Sequence, residues 1–193
     1  MPEPHIIVFL KAPQLGTVIS RLAATIGEDA ALAAYRRMAE TVLNTLTGWP
    51  SVELRITPDD AEPELRQWIQ SDWQCAPQGS GDLGNRMHRA FSEANRPAII
   101  IGTDCPTFQI EDLIKAADAL SWHDVVLGPA TDGGYWLIGL TEPHPFLFEN
   151  IPWSTESVLA ETLARAKAAA LTCHLLREQS DVDTAEDWKK WSG

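Results

Sequence analysis

Apolar residues recur along this chain in two rhythms. Short uninterrupted runs, Ile6 to Leu10, Ala98 to Ile101 and Val125 to Pro129, read as buried strands. They are too short for buried helices, and the β-branched Ala98 to Ile101 run suits a central strand covered on both faces. Val52 to Thr57 alternates apolar and polar positions, Tyr135 to Leu140 resumes as a strand, and Cys173 to Leu176 predicts a last one. Between these lie segments with helical spacing. In Glu28 to Leu46, the residues Tyr35, Met38, Ala39, Val42, Leu43 and Leu46 share one face, and Arg36, Arg37 and Glu40 take the other. Helices are also predicted over Ala61 to Ser71, Leu83 to Ala94, Ile110 to Leu120 and Ser157 to Ala170, with a short one stopped by Gly27 and a terminal one after Asp183. Strand alternating with helix is the cadence of a parallel sheet. The pattern predicts an α/β fold, a mostly parallel sheet flanked by helices, in a single domain over residues 1–193.

Polarity changes abruptly where several predicted strands end. Ala98 to Ile101 runs into Gly102, Thr103 and Asp104, and Pro106 blocks continuation. Ligands bind at the carboxyl ends of strands in open α/β sheets, so Asp104 is a candidate functional acid; the alternative is a cap for the next helix. Asp132, followed by Gly133 and Gly134, stands beyond Val125 to Pro129. It is a second candidate, or an Asp-Gly turn between paired strands. Asp181 and Asp183 precede the terminal helix, as ligands or as a charged approach to its N-terminus. After the first strand, Lys11 and Arg21 flank a loop with Pro13 and Gly16. Backbone amides and two cations there suit a phosphate; the alternative is ordinary surface charge. Asp82 stands near an N-cap, and Arg86, one turn into that helix, can reach a ligand above the sheet.

Composition narrows the chemistry. The 193 residues hold 27 acidic and 15 basic side chains, a net charge of −12. That opposes a nucleic-acid or anionic-membrane surface, which needs basic patches. A phosphorylated ligand would need a metal ion or a few placed cations. Cys75, Cys105 and Cys173 form no zinc pattern or CxxC pair, and an odd number suits a reducing compartment. The N-terminus lacks the cationic region of a signal peptide, and no apolar stretch is long enough to span a membrane, so a cytoplasmic protein is expected. Oligomeric state is not legible. Gly79, Gly81 and Gly84 spell GxGxxG with Asp104 downstream, the outline of a dinucleotide site. The preceding Trp73 to Pro77 is a mixed, proline-broken strand, which favours a loop leading into the helix Leu83 to Ala94 instead. Cys105 has no evident base partner, and the five histidines show no metal spacing.

Strand-end acids with a basic first loop suit a hard divalent cation and phosphates. The chain also resembles a bacterial family with a GT-A-like (nucleotide-diphospho-sugar transferase) fold, related to molybdenum-cofactor and phospholactate nucleotidyltransferases. The resemblance rests on Phe9-Leu-Lys-Ala-Pro13, Gly16 to Leu22, Gln78-Gly79 with Gly81-Asp-Leu-Gly84 and Arg86-Met87, Gly102 to Pro106, Gly128-Pro129 with Asp132 to Tyr135, Trp153-Ser-Thr155, and Asp181 to Thr184 with Glu186-Asp187. It implies a metal-dependent transferase using a nucleotide sugar or nucleoside triphosphate as donor and a small molecule as acceptor. Asp104 and Asp183 would hold Mg²⁺ or Mn²⁺. Lys11, Gly16 and Arg21 would hold the donor, with Gly81 and Arg86 counted among the substrate-binding residues. Asp132, as catalytic base or acceptor orienter, would act with Gly133 and Gly134. Where the family usually carries lysine, this chain has Ile19, which supports an alternative: a nucleotide-binding protein with little or no turnover.

Overall fold

The computed structural model describes residues 3–193. Seven strands form one sheet: β1 His5–Lys11, β2 Val52–Thr57, β3 Gln74–Pro77, β4 Ala98–Ile101, β5 Val125–Pro129, β6 Tyr135–Leu140 and β7 Cys173–Leu175. Their order across the sheet is β3-β2-β1-β4-β6-β5-β7. All neighbours are parallel except β6, which runs antiparallel to both β4 and β5. β1 and β4 are central, in register from His5 against Ala98 to Val8 against Ile101. Their carboxyl ends therefore open side by side at one rim.

The alternation of side chains along β1 explains its unbroken apolar run. Ile6, Val8 and Leu10 join one core cluster, with Tyr35, Ala39, Val42 and Leu43 of α2 (Glu28–Thr45). Ile7 and Phe9 join the cluster on the other face, with Met87, Ala90 and Phe91 of α4 (Leu83–Ala94). A strand covered on both faces has no solvent side to mark with polar residues. The remaining helices are α1 (Ser20–Ile26), α3 (Glu62–Leu65), α5 (Ile110–Ala119), α6 (Val158–Ala168) and α7 (Ala185–Ser192). None among the described residues is long and apolar enough to cross a membrane.

Two predicted elements differ. The helix expected over Ala61 to Ser71 is only α3 followed by a 3-10 turn at Arg66–Trp68. No side chain caps its start, and Leu65 and Trp68 turn into the core, so burial takes precedence over helical propagation. Trp73 to Pro77 does contain a strand, β3, despite its proline. It pairs only with β2 at the sheet edge, where a missing N–H is tolerated. The glycines of the GxGxxG outline have packing explanations. A Cβ on Gly79 would strike Arg89, one on Gly81 would strike Asn85, and one on Gly84 would sit 2.6 Å from the Phe148 carbonyl.

Candidate active site

A cleft of about 770 Å³ opens at the carboxyl ends of β1 and β4. Lys11, Arg21, Arg86, Asp104, Asp132 and Asp183 all line it. These side chains come from segments scattered through the chain, and the parallel topology gathers them at one rim.

Asp104 does not cap the helix that follows it. Gln109 occupies the N-cap of α5, in a reciprocal pair with Asp112. The backbone of Asp104 instead holds the last acidic segment in place, because Val182 N–H donates to the Asp104 carbonyl at 2.8 Å. Val182 is buried, so extended alternation turns Asp181 and Asp183 the other way, towards the cleft they both line. The segment is fixed further upstream: Gln179 N–H donates to the Pro129 carbonyl at 3.0 Å, and Thr131 N–H donates to the Gln179 carbonyl at 3.0 Å. Asp181, offered from the sequence as a ligand or a charged approach to α7, joins Asp183 at the cleft. The signal was an acid–apolar–acid triplet ending at a helix cap.

The cleft concentrates negative charge. The Asp104 side chain has solvent on its cleft side but protein packed closely around the rest. Burial raises its pKa, and Asp132 and Asp183 raise it further against the opposing pull of Lys11. Asp181 is pushed up to about 6, first by burial and then by Asp132 and Asp104. Mutual repulsion among carboxylates is what a cation relieves. The donors are all oxygen, which suits Mg²⁺ or Mn²⁺, and Mg²⁺ commonly takes one or two carboxylates plus substrate phosphates. The donor chemistry fits such an ion. Among the described residues, no group of three or more acids, histidines or cysteines is already drawn together as a metal cage. One oxygen of Asp183 is engaged at 2.8 Å by the exposed Arg21.

The first loop forms the wall on the α2 side. Tyr35 hydroxyl donates to the Lys11 carbonyl at 2.8 Å and accepts from Lys11 N–H at 2.9 Å, clamping the backbone where β1 ends. Burial pushes the Tyr35 phenol up to about 12, so it stays protonated in this double role. Among the described residues, Val18 N–H and Ile19 N–H have no hydrogen-bond acceptor, and both residues line the cleft. Ile19 is in the left-handed region at φ 44°, an unusual conformation for a β-branched side chain.

Several predicted residues lie elsewhere. Gly16, Gly81, Gly133 and Gly134 are not part of the cleft lining. Gly16 is at φ 74°, where an added Cβ would approach the Glu28 carboxylate. The Gly81 carbonyl accepts from Arg86 Nε at 3.0 Å. Gly133 packs against the backbone of Glu156. Asp132 combines both readings offered for it: it lines the cleft, and its Oδ1 accepts from Gly134 N–H at 2.8 Å in the loop joining β5 and β6. Cys105 is buried beside the Ser180 carbonyl, and burial pushes its thiol up to about 12, the opposite of an activated nucleophile.

The sequence model of a family described as "Uncharacterized protein conserved in bacteria (DUF2064)" matches residues 41–155. A candidate nucleotide-diphospho-sugar transferase from Desulfovibrio desulfuricans G20 superposes with a TM-score of 0.88 at 32% identity, covering 95% of this chain and 84% of that one. An inositol-1-phosphate CTP transferase from T. maritima superposes with a TM-score of 0.61 at 13% identity, covering 98% of this chain and 96% of that one. A cytidylyltransferase from Leptospira borgpetersenii serovar Hardjo-bovis (strain JB197) gives 0.60 at 13% identity, covering 98% and 84%. At such identity the last two are likenesses of fold. Together these structures identify the nucleotide-diphospho-sugar transferase (GT-A-like) fold that the family resemblance implied. No curated protein sequence matches the chain significantly.

Proposed function

This chain belongs to the bacterial DUF2064 family, and from that premise we propose that it is a metal-dependent transferase that takes its group from a nucleotide-activated donor. The observation that carries this reading is the hydrogen bond from Val182 N–H to the Asp104 carbonyl, which brings two distant acidic segments to the rim where Lys11 and Arg21 stand. The relative is described as a candidate nucleotide-diphospho-sugar transferase and one fold neighbour as a CTP transferase, in agreement with it.

Lys11, Arg21 and the open amides of Val18 and Ile19 bind the donor phosphates. Asp104 and Asp183 hold Mg²⁺ or Mn²⁺, with Asp181 beside them. The ion, when bound, offsets charge at the attacked phosphate or on the departing diphosphate. Asp132, which lines the same cleft near Asp104 and Asp181, accepts the proton of the acceptor hydroxyl or orients it. Working in the cytoplasm agrees with three cysteines that remain unpaired. Calorimetry with MgCl₂ or MnCl₂ and a panel of nucleoside triphosphates and nucleotide sugars tests the reading. Metal-dependent binding of at least one member is expected, with loss of the metal dependence in Asp104→Asn. Unchanged binding in that variant, or no binding to any member, would overturn it.

Ile19 favours a second reading, a binding protein with little turnover. It presents an apolar side chain to the cleft, at the position where the family resemblance implies a lysine. Under that reading the native protein forms no product from any bound donor, and Ile19→Lys gains turnover. Product formation by the native chain rejects it.

A further inference from the structure

The wall opposite the phosphate loop carries a cation of its own. Arg86 lies on α4, whose residues pack on the sheet face bearing Ile7 and Ile100. Val18 of the first loop packs on the other face, with Ile6 and Val8. The cleft therefore has two basic sites on opposite sides of the sheet plane.

Arg86 is held by a rigid platform. The side chain of Gln78 is buried, and its Nε2 donates to the Arg55 carbonyl at 3.0 Å and the Leu10 carbonyl at 3.4 Å. That leaves Gln78 Oε1 to accept from Arg86 Nη1 at 3.2 Å, while Arg86 Nε donates to the Gly81 carbonyl at 3.0 Å. Nη2 makes no hydrogen bond among the described residues, and no carboxylate there lies within ion-pair distance of Arg86. Three other arginines are satisfied by partners within the chain. Arg55 pairs with Glu53 and Glu93, Arg177 pairs with Asp112, and Arg89 spends both terminal nitrogens on the Gln78 and Ser80 carbonyls.

A half-buried guanidinium without a counter-charge is costly in a protein that has acids to spare. Its fork matches a carboxylate or phosphate. Beside it the cleft is apolar, with Phe9, Leu83, Met87 and Tyr135 among the lining. We propose that Arg86 is the anchor for an anionic group, phosphate or carboxylate, on the acceptor, whose carbon skeleton rests on this apolar strip. The proposal rests on the transferase reading for the word acceptor, and on Arg86 alone for the anion site.

The test is calorimetric titration of glycerol 3-phosphate, glycerate and neutral glycerol into the full chain, alone and with Mg²⁺ and the nucleotide panel. At least one anion is expected to bind with the nucleotides present, and glycerol is not. Arg86→Ala should weaken that anion about tenfold or more, the value of a charge-assisted hydrogen bond. Arg86→Lys should recover part of the affinity. Nucleotide affinity should stay within about twofold of native, a difference well below one such bond. The phosphate and carboxylate arms tell the two anion classes apart. The proposal is overturned if neither anion binds, if Arg86→Ala leaves anion binding unchanged, or if that variant weakens nucleotides as much as the anions, which would place Arg86 in the donor site. If no nucleotide binds either protein, the donor reading fails, while the anion comparison still decides the role of Arg86.

Discussion

At Gly133 the backbone has no room for a side chain. It sits at φ 88°, and an added Cβ would fall on the backbone of Glu156. Its carbonyl accepts from Leu159 N–H at 2.9 Å, tying the β5–β6 loop to the first turn of α6. Doubled glycines beside an acid suggest close approach to a ligand, but the approach here is to another part of the chain. Gly133→Ala should therefore cost about 3 kcal/mol or more, combining left-handed strain with overpacking. Gly134→Ala should be much milder, because the nearest atom to its added Cβ is an Asp132 carboxylate oxygen at 3.1 Å, the end of a movable side chain. Urea unfolding of the two variants checks this contrast, and equal losses would refute it.

The acidic segment depends on a brace between elements. Arg177, just past β7, donates to both carboxylate oxygens of Asp112, at 2.8 Å from Nε and 2.7 Å from Nη2. Asp112 Oδ2 also accepts from Gln109 N–H at 2.8 Å, completing the reciprocal cap of α5. These contacts, led by Arg177, hold the Asp112 carboxyl below its usual range. Asp112→Ala removes the cap and the brace together, at about 2 kcal/mol. Because the same stretch continues to Asp181 and Asp183, Mg²⁺ affinity measured by calorimetry should fall too, with the cleft residues untouched. A stability loss with unchanged Mg²⁺ binding would show that the segment needs no brace. Much of this scale was legible in advance. The unbroken apolar runs at β1 and β4 announced buried strands, and the terminal helix after Asp183 is found as α7, capped by Thr184 with Asp187. The early end of α3 was not legible, since helical spacing cannot reveal that Leu65 and Trp68 will turn inward. Nor was Arg177 bound to Asp112, because nothing local marks a partner so distant in sequence. Asp104 read equally well as cap or ligand until Gln109 was seen in the capping position.

Across the whole molecule, charge is handled in two opposite ways. At the cleft, acids crowd with few cations, and Asp104 and Asp181 have raised pKa values. Inside β2 and its neighbours, charges are buried but matched. Glu53 meets His5 at 3.0 Å and also the Arg55 guanidinium, while Arg55 reaches Glu93 at 2.5 Å. Burial alone would raise the Glu53 carboxyl, but His5 and Arg55 together draw it below its ordinary 4.5. A folded-state pKa below the unfolded one means stabilisation that is present above about 4.5 and lost as pH falls through the lower, folded value. Acid unfolding should therefore draw on this interior network, whereas the cleft acids gain from protonation over the same descent. In Glu53→Gln, Arg55 loses its buried partner, and stability at neutral pH should drop by about 3 kcal/mol. Once pH has fallen through the lowered folded value, where native Glu53 itself loses its charge, the two proteins should converge. Urea midpoints taken from pH 7 to pH 3 measure the gap. A gap that stays constant across that range would mean that Glu53 contributes through shape and packing, and that the acid limit of the fold is set elsewhere.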